Sequence, residues 1–198
     1  EAEIAELETA EERAAFLSPH EIQVGSRRVR AARFVIATGS VVSHVPLPGL
    51  DEVGYLTSDD LLELRDQPRS LLVLGGGSVA VELAQFYRRI GTEVTLIQRS
   101  HHILSGADED LARPIEARLR AEGMTVYTGT RLRRFERRGD LAVAHFSHAG
   151  QEREAAAEQV FHALGRRPNI DGLGLDLAGV EVRDRRVWVD DEMRTSQP

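Results

Sequence analysis

Leu71-Leu72-Val73-Leu74-Gly75-Gly76-Gly77-Ser78-Val79-Ala80-Val81-Glu82 is the stretch that decides the fold of this 198-residue chain. Four consecutive apolar residues suit a parallel strand covered on both faces, since no position alternates toward water. The glycines then run as G-x-G-x-x-A through Gly75, Gly77 and Ala80. Beyond them Val79, Leu83, Phe86 and Ile90 recur at helical spacing, Gly91 suits a helix end, and Val94-Thr95-Leu96-Ile97 is a second apolar run. Strand, glycine turn, helix and second strand are the context that a dinucleotide-binding turn requires.

Each position has a physical task in that reading. Gly75 permits the tight turn, Gly77 lets the backbone approach a diphosphate, and Ala80 keeps the helix close to the sheet. Gly76, Ser78 and Val79 complete the cradle. The unpaired N–H groups and positive dipole end of the helix face the phosphates, so no lysine is needed. A flexible turn, or a Rossmann site for another ligand such as an S-adenosyl compound, are the competing readings. The end of the second strand chooses between dinucleotides. An NAD site usually carries Asp or Glu there to accept from the ribose hydroxyls; here Gln98-Arg99-Ser100 follows. A neutral amide beside an arginine removes repulsion of a 2′-phosphate and supplies a bidentate donor. NADP is therefore expected, with Arg99 as its clamp, Ser100 or His102 assisting, and NAD as the alternative.

Composition sets the outer limits. The chain is 41% hydrophobic and 29% charged, with 25 basic against 32 acidic side chains and a formal charge of −7. That is a globular balance and argues against general nucleic-acid binding. No run of 18 apolar residues exists, so no membrane-spanning helix is expected, and no signal peptide is visible; a cytoplasmic location follows as the expectation. Cysteine and lysine are both absent, which excludes disulfides, thiolate chemistry and Schiff bases within this stretch. No metal site is expected: His101-His102 are adjacent loop residues whose side chains diverge. The basic run Arg131, Arg133, Arg134, Arg137 and Arg138 reads as a solvated sheet face.

Around the glycine turn the chain divides into three. Residues 1–52 open with an acidic, Ala-rich stretch of helical composition to Ala15, then predict a hairpin at Gly25-Ser26 and a buried strand Arg33-Phe34-Val35-Ile36-Ala37. Residues 53–158 alternate strand and helix: a short helix behind Thr57, the strand–turn–helix–strand unit, and a helix over about Asp108 to Ala121 kinked or delayed by Pro114. A third strand at Met124–Tyr127 and a three-stranded antiparallel appendage complete that section. Residues 159–198 open with Val160-Phe161-His162-Ala163-Leu164-Gly165. The fold class is thus α/β, a Rossmann-like parallel sheet with the antiparallel appendage, flanked by two further segments.

Several motifs in this order resemble the pyridine nucleotide-disulfide oxidoreductases, the family of mercuric reductase, dihydrolipoyl dehydrogenase and glutathione reductase. Phe34-Val35-Ile36-Ala37-Thr38-Gly39-Ser40 with Pro46 and Pro48-Gly49 is similar to the strand that leaves the family's FAD domain. Gly75 to Glu82 is similar to its nicotinamide-nucleotide fingerprint. Ala163-Leu164-Gly165-Arg166-Arg167-Pro168-Asn169 resembles the segment returning to the FAD domain, and Asp190 with Met193-Arg194-Thr195-Ser196 the stretch before a second flavin motif.

The resemblance implies a central fragment: an NAD(P) domain at 53–158 with partial FAD-domain segments at 1–52 and 159–198. The flavin fingerprint, redox cysteine pair and dimerisation domain would lie elsewhere in the same parent chain, a homodimer. FAD is then expected in the intact parent and not in the fragment, which alone should bind NAD(P) weakly and turn over nothing. The resemblance gives Thr38, Gly39 and Gly165 a cofactor-binding role and Glu82 a catalytic one, at the flavin–nicotinamide contact of the parent. The alternative for Glu82 is a solvated acid in the first turn of the helix, favoured by the dipole. At Ser78 some relatives carry a tyrosine over the nicotinamide pocket, so a serine implies an ungated pocket or a gate supplied by another residue. Two other functions remain open: a stand-alone dinucleotide sensor without catalysis, and a domain of an NAD(P)H:flavin oxidoreductase lacking the disulfide.

Overall fold

The computed structural model describes residues 11–197, so most of the helical stretch read over Glu1 to Ala15 lies outside the described residues. Two compact units are present, one of residues up to Val41 together with those from Arg167, the other Val42–Arg166.

The first unit begins with an antiparallel sheet of β1 (Ala14–Ser18), β2 (Glu21–Val24) and β3 (Arg27–Arg30). Gly25 turns β2 into β3 at φ 54°, as its place before Ser26 suggests. The expected buried strand at Arg33–Ala37 does not form. Phe34 and Ile36 do pack onto the unit's core around Phe16, with the Phe34 and Phe16 rings edge-on at 5.2 Å. Val35 between them is 91% exposed, and no strand is assigned to the segment among the described residues. The segment is extended with alternate residues inward, but it pairs with no neighbouring strand among the described residues, and without a ladder an extended segment is not a strand.

The second unit carries the sheet that matters for function. After β4 (Ser40–Val42) the chain runs through Pro46 and Pro48 to α1 (Leu50–Val53) and α2 (Ser58–Glu63). Thr57 caps α2 in a reciprocal box: its side chain accepts from the Asp60 N–H while the Asp60 carboxylate accepts from Thr57. There follow β5 (Ser70–Leu74), α3 (Ser78–Arg89), β6 (Glu93–Ile97), α4 (Glu109–Ala121) and β7 (Thr125–Tyr127). Next come β8 (Thr130–Arg138), β9 (Leu141–His148), β10 (Gln151–Ala157) and β11 (Gln159–His162). Strands β11, β5, β6 and β7 form a parallel sheet in that order, and β10, β9 and β8 an antiparallel one.

Strand β5 explains why its residues are apolar throughout. Leu71 and Val73 enter a core shared with Ala80, Val81, Ala84 and Tyr87 of α3 and with Ala112 and Leu119 of α4. Leu72 and Leu74 point the other way, among Phe135, Ala142, Ala144 and Phe146 of the antiparallel sheet and Leu50 and Val53 of α1. The parallel sheet is covered by helices on one face and by the antiparallel sheet on the other. Full burial of each such side chain stabilises by about 1.5–3 kcal/mol. At the open edge, Leu56 makes a single parallel bridge to Phe161, its N–H donating to Val160 O and its carbonyl accepting from the His162 N–H.

Two helices depart from expectation. The row Val79, Leu83, Phe86, Ile90 is not the buried face of α3; Val79, Phe86 and Ile90 are about half exposed. The buried row is Ala80, Val81, Ala84 and Tyr87, because two alanines let the helix lie close on the sheet while bulkier residues fit only on its flank. Helix α4 starts at Glu109 and continues through Pro114, which is exposed, leaving the Asp110 carbonyl to water.

The chain returns to the first unit through β12 (Arg166–Pro168) and ends with the short pair β13 (Val182–Arg183) and β14 (Arg186–Val187). There Arg183 lies 4.8 Å over the Trp188 ring. No helix among the described residues is long and apolar enough to cross a membrane.

Candidate functional site

The three glycines between β5 and α3 are not equivalent. Gly75 has φ 106°, and a Cβ there would stand 2.3 Å from the Ala163 carbonyl oxygen at the end of β11. Its N–H donates to Ile97 O at 2.9 Å. Gly76 is buried: a Cβ would press on the Gln98 side chain at 3.2 Å, and its carbonyl accepts from the Leu104 N–H at 2.6 Å. Gly77 differs from both. Its φ of −74° suits any residue, it is exposed, and nothing lies within 4 Å of the position a Cβ would take. The fold therefore requires glycine at 75, restricts 76, and leaves the space in front of 77 open.

Helix α3 begins directly behind this space with no side-chain cap and no acid in its first turn. Its first N–H groups have no intrahelical acceptor, and nothing local offsets the positive end of the dipole. An open cleft lies against it. Gly77, Ser78, Val79 and Ala80 form one side, and Phe161, His162, Ala163, Gly165 and Arg166 another, with Ser58 and Val42 completing it. Gly165 has φ 127°, and its carbonyl accepts from the Ser43 N–H at 3.0 Å.

His162 is 3% exposed, and neither ring nitrogen has a hydrogen-bond partner among the described residues. Its ring lies 4.9 Å from that of Tyr55. Burial pushes its pKa down, so the neutral imidazole is favoured; its own backbone is the main opposing influence, with smaller contributions from His44, which adds to the depression, and Asp51, which opposes it.

At the end of β6, Gln98 is buried against Gly76, its N–H donating to Tyr127 O and its carbonyl accepting from Thr130. Arg99 is exposed and pairs with no carboxylate among the described residues, while Ser100 is half-buried with its carbonyl accepting from Gly129. None of these three lines the cleft. Glu82 is exposed but sits in the second turn of α3, not the first as expected, because the helix begins at Ser78, and so lies beyond the turn over which a helix dipole acts strongly.

Thr38 and Gly39 belong to the first unit, where the Asn169 N–H donates to Gly39 O and its side-chain amide to Thr38 O. Arg167 makes an ion pair with Asp171, leaving Arg166 as the member of that pair of arginines that lines the cleft. The sequence-derived residues thus fall into a group in the cleft (Gly77, Ser78, Val79, Ala80, Gly165), a group behind or beside the turn (Gly75, Gly76, Gln98, Arg99, Ser100), Glu82 on the outer side of α3, and two residues in the other unit.

The sequence matches the family described as pyridine nucleotide-disulphide oxidoreductase over residues 3–198. The chain belongs to that family. It is 40% identical over 182 residues to mercuric reductase of Bacillus cereus, covering 91% of this chain and 29% of that protein. To dihydrolipoyl dehydrogenase of Thermus scotoductus it is 38% identical over 191 residues, covering 93% and 41% respectively. Among solved structures, the HOCl-induced flavoprotein disulfide reductase RclA from Escherichia coli superposes with a TM-score of 0.84 at 28% identity, over 94% of this chain and 42% of that one. The chain therefore spans less than half the length of each of these proteins.

Three residues at the site escape a reading of the sequence. Ser58 reaches the cleft only because Leu56 bridges to β11. His162 stands in an apolar run with no chemical neighbour in sequence. Leu104 acts through its main chain, which carries no residue-type signal at all.

Proposed function

We propose that the Val42–Arg166 unit holds NADPH, with NADH as the weaker ligand, by its diphosphate at the start of α3, and presents it to FAD in a longer flavin oxidoreductase. The observation that carries this reading is Gly77: a glycine in an ordinary backbone conformation, facing open space, at the uncapped end of a twelve-residue helix. A residue with no need to be glycine for the fold is there for what approaches it. The main-chain N–H groups of Gly77, Ser78 and Val79 then hold the diphosphate, and Gln98 and Arg99 hold the adenosine ribose and its 2′-phosphate. Ala80 keeps the helix in contact with the sheet, Gly165 shapes the far wall, and Glu82 acts at the nicotinamide end only in the parent. When bound, the nicotinamide supplies a hydride for the flavin.

In this proposal the nucleotide domain is the Val42–Arg166 unit, whose parallel sheet includes β11, and the segments flanking it, with Thr38 and Gly39, belong to the FAD domain of a cytoplasmic homodimer. The chain by itself turns nothing over.

Calorimetric titration with NADPH and NADH tests the reading. NADPH should bind more tightly, Arg99→Ala should weaken NADPH while sparing NADH, and Gly77→Val should abolish binding of both with the melting temperature little changed. Equal or tighter binding of NADH would remove the 2′-phosphate assignment. Undiminished binding by Gly77→Val would remove the site.

A further inference from the structure

Leu104 is one of five non-glycine residues with a left-handed backbone among the described residues, at φ 52°, a conformation that leucine ordinarily avoids. What holds it there is visible on both sides. Ile103 before it is fully buried, Leu104 itself packs against the same core, and its carbonyl accepts from the Ala107 N–H at 2.8 Å. The outcome is one short bond, from the Leu104 N–H to the Gly76 carbonyl at 2.6 Å.

That bond fixes more than a carbonyl. The peptide joining Gly76 to Gly77 is trans, so its C=O and its N–H point in opposite directions. With the oxygen held toward Leu104, the Gly77 N–H is turned to the opposite side, at a residue that lines the cleft. Two linked glycines have little resistance of their own to a peptide flip. A flip would replace a donor by a carbonyl oxygen and repel an anion where one is to be held.

We infer that Leu104 is a positioning residue for the diphosphate: its core-anchored main-chain N–H locks the Gly76–Gly77 peptide with the Gly77 N–H aimed at the ligand. The inference rests on the dinucleotide reading above and extends it to a residue that never meets the ligand. It also gives the segment after β6 two tasks, since Gln98 and Arg99 at its start serve the adenosine end while Leu104 orients a donor for the diphosphate.

The test is an amide-to-ester replacement at residue 104 in the full chain, using the α-hydroxy acid analogue of leucine introduced by nonsense-codon suppression. It deletes the N–H and keeps the side chain. Affinity is measured for NADPH and for 2′-AMP, which carries the adenosine ribose and 2′-phosphate but neither bridging phosphate. NADPH should weaken roughly ten-fold, the equivalent of one hydrogen bond, with 2′-AMP unchanged. Equal weakening of both ligands would show a general structural role, and no weakening of either would show an idle bond; each overturns the inference. Should the ester chain fail to fold, Leu104→Ala keeps the N–H but strips its anchor in the core without easing the left-handed backbone, and the same selective loss for NADPH is expected; unaltered NADPH affinity overturns the inference. If the unmodified chain binds neither ligand, the dinucleotide reading itself fails and this inference falls with it.

Discussion

The two sheets of the Val42–Arg166 unit solve their burial in opposite ways. In the parallel sheet both faces are covered and every side chain of Leu71–Leu74 is fully buried, so only backbone at the strand ends is left to meet a ligand. The antiparallel sheet buries one face, through Phe135, Ala142, Ala144 and Phe146, and turns the other to water. On that outer face Arg133 pairs with Glu152, Arg134 and Arg138 both pair with Glu136, and Arg138 reaches Glu154. His145 stands between Glu136 and Glu154 at 3.3 and 3.2 Å. By residue type, this face looks the more chemical of the two. Yet its charges are spent on one another, whereas the parallel sheet leads into a helix start with no side-chain cap, whose first N–H groups have no intrahelical acceptor. A cluster of titratable side chains is weaker evidence of a site than unpaired main-chain groups facing open space.

The contrast can be broken in four ways, in falling order of effect. Gly75→Val should leave no stable fold, because its Cβ would meet the Ala163 carbonyl at 2.3 Å in a left-handed backbone; far-UV circular dichroism of the purified variant checks this. Leu72→Ala removes a side chain packed between the two sheets and should cost about 2–5 kcal/mol in a urea melt.

The third way uses pH. The folded pKa of His162 is depressed below 6.5 by burial, so its neutral form contributes stability that is complete above 6.5. As the pH falls below that value, the unfolded chain takes up a proton that the folded chain refuses. Stability should decline across that range, and His162→Leu should flatten the decline in thermal melts.

The smallest effect belongs to the outer ionic face. Arg134, and next to it Arg138, hold the Glu136 carboxyl down to about 2 from 4.5. Its contribution is therefore present above 4.5 and is lost as the pH falls toward 2. Because the group is exposed and screened by solvent, Glu136→Gln should barely move the melting temperature at neutral pH. A large shift there would mean that this face does more than satisfy itself.

The strand–turn–helix unit was legible because three independent signals coincide within twelve residues: an unbroken apolar run, glycines at fixed spacing and a helical period. The capped start of α2 was legible for the same reason, Thr57 and Asp60 being residues whose only economical use in that order is a cap. The buried face of α3 was not. Its row of alanines and Tyr87 carries less apparent hydrophobicity than the row of Val79, Phe86 and Ile90, yet close packing rewards small residues, not greasy ones. Glycine itself was ambiguous. Gly49 and Gly75 are walled in by backbone and Gly77 is open, a distinction that lives in tertiary contacts and leaves no mark on the letter G. Leu104 and His162 lay further out of reach, one acting through its main chain and the other through what surrounds it.

A last consequence concerns Leu56. Strand β11 ends its sheet, and an uncovered sheet border is a template on which another molecule can zip itself, the first step toward fibres and precipitate. The single residue of Leu56 occupies that border with one bonded pair at Val160 and His162. The connector between α1 and α2 thus shields that border as well as linking two helices, and shortening it should leave the protein prone to precipitate, read as turbidity.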